Sequence, residues 1–424
     1  MKIEIANGRL IDPANGVDRV ASLFIAAGRV AAIGTAPSGW HPNRVIDARG
    51  LVVAPGLIDL SARLREPGFE YKATLESEMA AAIAGGVTSL ACPPDTDPPL
   101  DEPGLVEMLK HRARSLNQAH VYPIGALTVQ LKGTTLTEMG ELREAGCVAF
   151  SHADVPLVDT QLLWRAMQYA STFGYQLWLR PADPHLGRGG VAHDGEVATR
   201  LGLAGIPAVA ETIALTTILA LARDTGVRLH LCRLSCAESV ALVRAAKRDG
   251  LAVTCDVAIH HLHLSDVDIG WFASDAHLVP PLRTTRDRAA LRAGVADGTI
   301  DLICSDHAPV DDDGKQVPFG EAEPGATGLE LLLPLTLKWA AEDGVALPDA
   351  LARITSVPAR LVDSGAGDLA VGRAADVCVF DPQAWWKVER GVLRSQGKNT
   401  PFLGLEVPGR VRYTLVGGQV VHEL

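Results

Sequence analysis

The sequence predicts an α/β fold, a (β/α)8 TIM-like barrel with a small β-sandwich formed by both ends of the chain. Eight short apolar segments recur through the middle of the chain, and stretches of helical periodicity lie between them. Both ends instead carry short alternating segments separated by tight turns. The length of 424 residues is enough for one large domain and one accessory module.

The accessory module is predicted to comprise residues 1–54 and 366–424. Near the start, "KIEIANGRLID" combines strand-like alternation with Asn-Gly, a signal for a hairpin turn. Near the end, "ADVCVFD" and "GRVRYTLVGGQVVHEL" have the same character. Two β-rich ends that flank a long middle region indicate one small sheet module built from both.

The barrel is predicted over residues 55–365. Its eight strands are expected in "LVVAPGLIDLS", "VTSLACPP", "HVYPIGAL", "CVAFSH", "YQLWLRP", "VRLHLCRLS", "AVTCDVAIHH" and "DLICSDHAP". The intervening helical segments often end in glycine, as helices commonly do. Chemistry in this fold lies at the C-terminal ends of the strands. The polar residues predicted there are Ser61, Arg63, Asp95, His152, Arg180, Arg233, His260 and Asp306.

Composition narrows the classes of function. The net charge of −11 argues against a general nucleic-acid or anionic-membrane surface. No apolar run approaches the roughly 20 residues that a membrane helix needs, and "MKIEIANGRL" lacks the apolar stretch of a signal peptide, so we expect it to form a strand. The seven cysteines include no Cys-x-x-Cys pair, so we expect reduced thiols in a cytoplasmic protein.

Several stretches of the chain occur together in one known family. They are "APGLIDL", "LREPG", "KATLESEMAAAIAGGVTSLACPP", "RLGLAGIPAVAE", "IHHLHLS", "PPLRT", "SDHAP", "GATGLELLLPL" and "KNTPFLG". With these motifs the chain resembles the dihydroorotases of the amidohydrolase superfamily, specifically the class I bacterial type. The resemblance implies a metal-dependent barrel that interconverts carbamoyl-aspartate and dihydroorotate.

The resemblance also implies where a metal shell would lie. Active relatives have His-x-His after strand 1, a bridging acidic group after strand 4, histidines after strands 5 and 6, and an aspartate after strand 8. On this chain those six positions hold Ser61, Arg63, His152, Arg180, Arg233 and Asp306. By this alignment only Asp306 is retained.

The three arginines at these positions argue against a metal. A guanidinium is a permanent cation without a lone pair to donate, and it repels a divalent ion at close range. We therefore expect no zinc and no other cofactor. Arginine charge is expected to replace metal charge, with Asp306 as a vestigial, non-catalytic carboxylate.

The positions implied to form the substrate pocket are also altered. Arg65 is retained, whereas Asp95 replaces an asparagine, Val279 replaces another, and Val310 replaces a histidine. Two further sets of residues could relocate a metal site: the strand 7 histidines and a cysteine pair near strand 6. A structural role is the favoured interpretation of both sets, which are His260, His261 and His263, and Cys232 and Cys236.

The preserved framework and the altered site predict a non-catalytic member of the family. The resemblance implies an assembly subunit for the catalytic chain of aspartate carbamoyltransferase in pyrimidine biosynthesis, present as a homodimer within a larger hetero-oligomer. Two alternatives stay open. One is an active cyclic-amide hydrolase, metal-dependent or metal-free, with a rebuilt site, and the other is a sensor of small anions that uses the arginine-lined pocket.

Overall fold

The computed structural model describes residues 1–363 and 365–424. It confirms the predicted fold class, because eight parallel strands form the barrel and the chain ends form the sandwich. The barrel strands, in sheet order, are β6 (Leu57–Asp59), β7 (Val87–Cys92), β8 (His120–Ala126), β9 (Ala149–Ser151), β10 (Gln176–Leu179), β13 (Arg228–Leu231), β14 (Val253–Ala258) and β15 (Leu302–Cys304). A parallel bridge between Ala62 and His307 joins the first strand to the last.

Helices alternate with these strands and pack around them. The α-helices are α1 (Leu75–Ala84), α2 (Pro103–Leu116), α3 (Met139–Ala145), α4 (Thr160–Phe173), α5 (Glu196–Leu201), α6 (Ala208–Thr225), α7 (Ala237–Arg248), α8 (Ile259–His263), α9 (Thr285–Asp297), α10 (Asp312–Lys315), α11 (Leu332–Asp343), α12 (Leu347–Ala352) and α13 (Ser356–Val362). Short 3-10 turns occupy Pro13–Asn15, Val129–Leu131, Asp266–Ile269, Ser274–Ala276 and Leu329–Leu331. None of the helices in the described ranges is both long and apolar enough to cross a membrane.

The sandwich draws its strands from both ends of the chain. They are β1 (Lys2–Asp12), β2 (Val17–Ala26), β3 (Arg29–Ile33), β4 (Arg44–Asp47), β5 (Val52–Pro55), β16 (Val377–Lys387), β17 (Glu406–Val416) and β18 (Gln419–Glu423). The N-terminal β5 pairs with the C-terminal β16, which joins the two halves. Fully buried residues from both halves, such as Ile3, Leu23 and Val377, form one core. The remaining two strands, β11 (Ala192–His193) and β12 (Gly205–Ile206), pair outside the barrel.

The segment "LVVAPGLIDLS" is divided between the two modules. Residues Val52–Pro55 belong to the sandwich, and the barrel begins at Leu57. Gly56 lies between them, and its backbone N–H donates to the carbonyl of Asp376 at 2.9 Å. A Cβ on Gly56 would lie 2.1 Å from Oγ1 of Thr88, so close packing against β7 requires glycine there.

A buried asparagine ties the C-terminal segment "KNTPFLG" to the loop after β15. Oδ1 of Asn399 accepts from the backbone N–H of Val310 at 2.9 Å. Its Nδ2 donates to the carbonyls of Ala308 and Gly325 at 3.3 and 2.9 Å. One side chain thus satisfies three backbone groups beside the barrel mouth.

We expect Asn399→Ala to lower the free energy of unfolding by roughly 2–4 kcal/mol, because it leaves buried backbone groups without partners. Urea denaturation measures this loss. Asn43→Ala is the matched control, since Asn43 is exposed and accepts one hydrogen bond, from the backbone of Lys2. Its effect should stay below about 1 kcal/mol. Equal effects of the two substitutions would contradict the anchoring role.

Candidate functional site

Charged side chains from the ends of six barrel strands meet at the barrel mouth. Each follows its strand by at most four residues, so the C-terminal strand ends bring together residues far apart in sequence. We call the following six residues the arginine–aspartate cluster: Arg63 after β6, Asp95 after β7, Asp154 after β9, Arg180 after β10, Arg233 after β13 and Asp306 after β15.

Asp154 lies at the centre of the arginine–aspartate cluster. Its Oδ2 is 2.5 Å from Nη2 of Arg63, and its Oδ1 is 2.6 Å from Nε of Arg180. Oδ1 also accepts from Nη2 of Arg233. The backbone carbonyl of Asp154 accepts from Nη2 of Arg180 at 2.9 Å. One carboxylate therefore contacts all three arginines that occupy implied metal positions.

Asp306 and Asp95 complete the ion pairs. Oδ1 of Asp306 is 2.9 Å from Nη1 of Arg233 and 3.3 Å from Nη1 of Arg63. The hydroxyl of Ser61 lies 3.4 Å from the same oxygen. Asp95 accepts from Nε of Arg63 at 2.7 Å. The three cations are thus matched by three carboxylates, and the arginine–aspartate cluster is formally neutral.

The local charges control the protonation of these groups. Burial favours a higher pKa for Asp154, but Arg233, Arg63 and Arg180 outweigh burial and hold that pKa well below its usual range. Burial favours a lower pKa for Arg63, yet Asp95 and Asp154 raise it. In the same way, Asp154 and Asp306 overcome burial and raise the pKa of Arg233. Asp154, Arg63 and Arg233 are therefore charged at neutral pH.

Backbone conformation at the strand ends is unusual. Arg65, Ala153, Arg233 and Asp306 all have positive φ, at 63°, 50°, 55° and 46°. Non-glycine residues seldom adopt this region, and they do so where the surrounding structure imposes it. The strand ends therefore keep sharp, fixed turns that hold the arginine–aspartate cluster in place.

The residues at the implied metal positions do not fit a metal ion. Guanidinium groups offer no lone pair, and each of the three carboxylates already contacts at least one arginine. A divalent cation would have to displace these pairs and lie beside Arg63 and Arg233. Ser61 offers only a hydroxyl that faces Asp306.

The histidines after strand 7 do not form a metal site either. Burial lowers the pKa of His260 and of His263 to about 4, and the imidazoles of His261 and His263 contact the carbonyls of Pro281 and Leu335. Across residues 1–363 and 365–424, one group has metal-ligand geometry, and it contains none of these three histidines.

That one group lies deeper in the barrel and comprises His230, Cys232 and Asp256. Both ring nitrogens of His230 are already 2.9 Å from partners, Thr254 and Asp256. Asp256 also accepts from the backbone N–H of Arg233 at 2.6 Å. The ring nitrogens of His230 and the carboxylate of Asp256 are therefore already used in hydrogen bonds. Cys236 lies apart from it, beside Glu211 and Ser239.

The structure places His152 differently from the prediction. Nε2 of its imidazole is 2.8 Å from the Thr128 hydroxyl, and Nδ1 is 2.8 Å from the Val155 carbonyl. Thr128 and Val155 thus hold the imidazole of His152, and Asp154, two residues later, supplies the anion after strand 4. Sequence analysis missed Asp154. Three arginines without enough carboxylates, together with an aspartate in "FSHAD", were the signal that could have found it.

The implied substrate-pocket positions are also occupied by internal contacts. Nε of Arg65 donates to the carbonyl of Pro309 at 2.8 Å, and burial together with Arg63 lowers the pKa of Arg65. The carbonyl of Val279 accepts from Arg233 at 3.2 Å, and Val310 is buried. A cavity of about 240 Å³ is lined in part by Arg180 and Val279.

Comparison with known proteins agrees with this architecture. Residues 50–239 match the family model "Dihydro-orotase-like", and residues 189–421 match "Amidohydrolase family". A "Dihydroorotase-like protein" of Pseudomonas aeruginosa is 46% identical over the whole of both chains. The chain belongs to the dihydroorotase-like amidohydrolases.

Other relatives extend the comparison to enzymes. A protein named dihydroorotase from Syntrophotalea carbinolica is 42% identical over all of both chains. Among solved structures, the L-hydantoinase of Arthrobacter aurescens is 25% identical, with a TM-score of 0.88 over 99% of this chain and 96% of that one. The chain is thus similar both to relatives named dihydroorotase and to relatives named only dihydroorotase-like.

Substitution Asp154→Asn should lower the free energy of unfolding by about 3–5 kcal/mol, because it leaves buried guanidinium groups without their shared counter-ion. Urea denaturation at pH 7 is the measurement. Asp249→Asn serves as the control, since it breaks an exposed pair with Arg223 and should cost less than about 1 kcal/mol. A loss no greater than that of the control would contradict the central role of Asp154.

The stability of the protein in acid should also depend on Asp154. The folded-state pKa of Asp154 lies well below the unfolded value of about 3.9, so its contribution is complete above that value and is lost as pH falls below it. The native chain should therefore lose stability below about pH 4 more steeply than Asp154→Asn. Urea denaturation midpoints measured across this pH range test the prediction. If the midpoints of the native chain and of Asp154→Asn fall equally steeply with pH, the prediction is wrong.

Proposed function

We propose that this protein is a catalytically inactive, cytoplasmic member of the dihydroorotase-like amidohydrolases and acts as an assembly subunit for the catalytic chain of aspartate carbamoyltransferase in pyrimidine biosynthesis. The observation that carries the first half of the proposal is the neutral arginine–aspartate cluster. It fills the positions where hydrolysis would need metal ligands, with groups that repel a cation.

Hydrolysis of a cyclic amide requires an activated nucleophile and a group that accepts or donates a proton near neutral pH. At this site Asp154 is held ionised by arginines, and Asp306 contacts Arg63, Arg233 and Ser61. Neither carboxylate is left available to activate water. This arrangement supports inactivity over the alternative of a metal-free hydrolase with a rebuilt site.

The assembly role is supported by what the chain has kept. Eight parallel strands form the barrel, the sandwich pairs both ends of the chain, and Asn399 ties the C-terminal segment to the mouth. Because the framework is intact and ion pairs fill the mouth, the outer surface is the favoured place for binding another protein. The resemblance to bacterial dihydroorotases then directs attention to the transferase, with the present chain as a homodimer within the larger complex.

Binding of a small anion is a second candidate with its own support. Arg65 is partly buried and its only described hydrogen bond uses Nε, and Arg180 lines a cavity of about 240 Å³. Because the other arginines are matched by carboxylates, an anion would have to rely on Arg65. Calorimetry with carbamoyl-aspartate, dihydroorotate and phosphate tests this function, and absence of heat with all three rejects it.

The purified protein should contain far less than one equivalent of zinc, and its hydrolysis of dihydroorotate should stay at background. Elemental analysis and a hydrolysis assay with added zinc provide the two measurements. The dihydroorotase of Syntrophotalea carbinolica, prepared in the same way, is the control. Stoichiometric metal accompanied by turnover would overturn the inactive assignment.

Co-expression with the aspartate carbamoyltransferase chain of the same genome should give one complex that elutes ahead of either chain alone. Size-exclusion chromatography with light scattering measures the mass. Separate elution of the two chains at their individual masses would overturn the assembly role. That result would leave the inactive assignment intact, because metal content and hydrolysis are measured independently.

A further inference from the structure

The long connection between α8 and α9 presents an exposed aromatic pair. Trp271 is 89% exposed and Phe272 is 40% exposed, with their ring centroids 6.1 Å apart in an edge-on arrangement. Val267 on the same loop is also exposed. We call residues 267–273 the aromatic tip. It follows β14, so it belongs to the same C-terminal side of the barrel as the arginine–aspartate cluster.

The aromatic tip is firmly anchored. Ile269 within it and Ala276 just after it are buried in a local apolar core, and Asp268 accepts from the backbone N–H of Ser265 at 2.7 Å. Phe272 has a φ of 62°, a region that aromatic residues seldom adopt. The loop thus buries Ile269 and Ala276 but leaves Trp271 exposed to solvent.

The surroundings of the aromatic tip are acidic. Its own stretch contains Asp268 and Asp275 without lysine or arginine, and the neighbouring α10 region contributes three further aspartates, Asp311, Asp312 and Asp313. The two segments are joined, because Oγ of Ser274 donates to the carbonyl of Lys315 at 2.7 Å.

Nearby basic groups are already engaged. Lys315 is buried and donates to the carbonyl of Ser274 at 3.0 Å, and Arg390 pairs with Asp312. The surface around the aromatic tip therefore carries an excess of negative charge.

We propose that the aromatic tip docks into an apolar pocket bordered by lysine and arginine on a different protein subunit. The inference rests on the proposed function, in which that subunit is the transferase chain. Fully exposed tryptophan is costly to solubility and is enriched among the residues that dominate binding energy. The acidic surroundings complement a basic rim. They disfavour contact between two aromatic tips, which would place like charges together.

The test uses the co-expressed complex and two tryptophan substitutions. Trp271→Ala should raise the dissociation constant for the transferase chain at least about tenfold. Trp385→Ala is the matched control, because Trp385 is 63% exposed on the sandwich strand β16 and should change binding by less than about twofold. Both substitutions affect exposed side chains, so thermal denaturation should show unchanged folding. Binding of the native chain should also weaken with added salt.

The outcomes separate this inference from the proposed function. If the native complex forms and Trp271→Ala binds as tightly as Trp385→Ala, the docking surface is wrong and the assembly role stands. If the native chain does not bind the transferase, the assembly role fails and the partner assigned here fails with it. If Trp271→Ala instead dissociates the homodimer without the transferase, the occupant is a second copy and the inference is overturned.

Discussion

The arrangement at the barrel mouth depends on one shared counter-ion. Asp154 contacts Arg63, Arg180 and Arg233, whose side chains come from three different strand ends. Three guanidinium groups in a confined, partly dry space repel one another strongly unless carboxylates lie between them. Asp154 allows the arginines to converge, and Asp95 and Asp306 balance the remaining charge. The same geometry that makes the site stable makes it unsuitable for a cation.

The ion pairs of the arginine–aspartate cluster link strand ends that are far apart in sequence. A divalent ion holds several strand ends together through ligand bonds, and here ion pairs between the strand ends do so. Turns with positive φ at Arg233 and Asp306 position these two side chains at the strand ends. Buried ion pairs often contribute little net stability relative to apolar packing, whereas removal of one member is expensive. The arginine–aspartate cluster is therefore a linked unit, and single substitutions within it should be poorly tolerated.

The ion pairs at the barrel mouth direct attention to other parts of the surface. The cavity of about 240 Å³ beside Arg180 is small, and Arg180 itself is paired with Asp154. The aromatic tip, by contrast, places Trp271 in solvent on an anchored loop on the same side of the barrel. Because a local apolar core anchors this loop, the aromatic tip has the fixed position that a docking surface needs.

The sequence by itself determined the fold class, because eight apolar segments with helices between them leave few arrangements other than a closed barrel. It also determined that Arg63, Arg180 and Arg233 follow strands, and that a guanidinium cannot ligate metal. Tertiary structure alone decided that Asp154 rather than His152 meets them, because a side chain three residues past a strand end is oriented by the turn and not by alternation. The division of "LVVAPGLIDLS" at Gly56 and the exposure of Trp271 likewise depend on which surfaces pack together, and apolar letters in a sequence do not specify that.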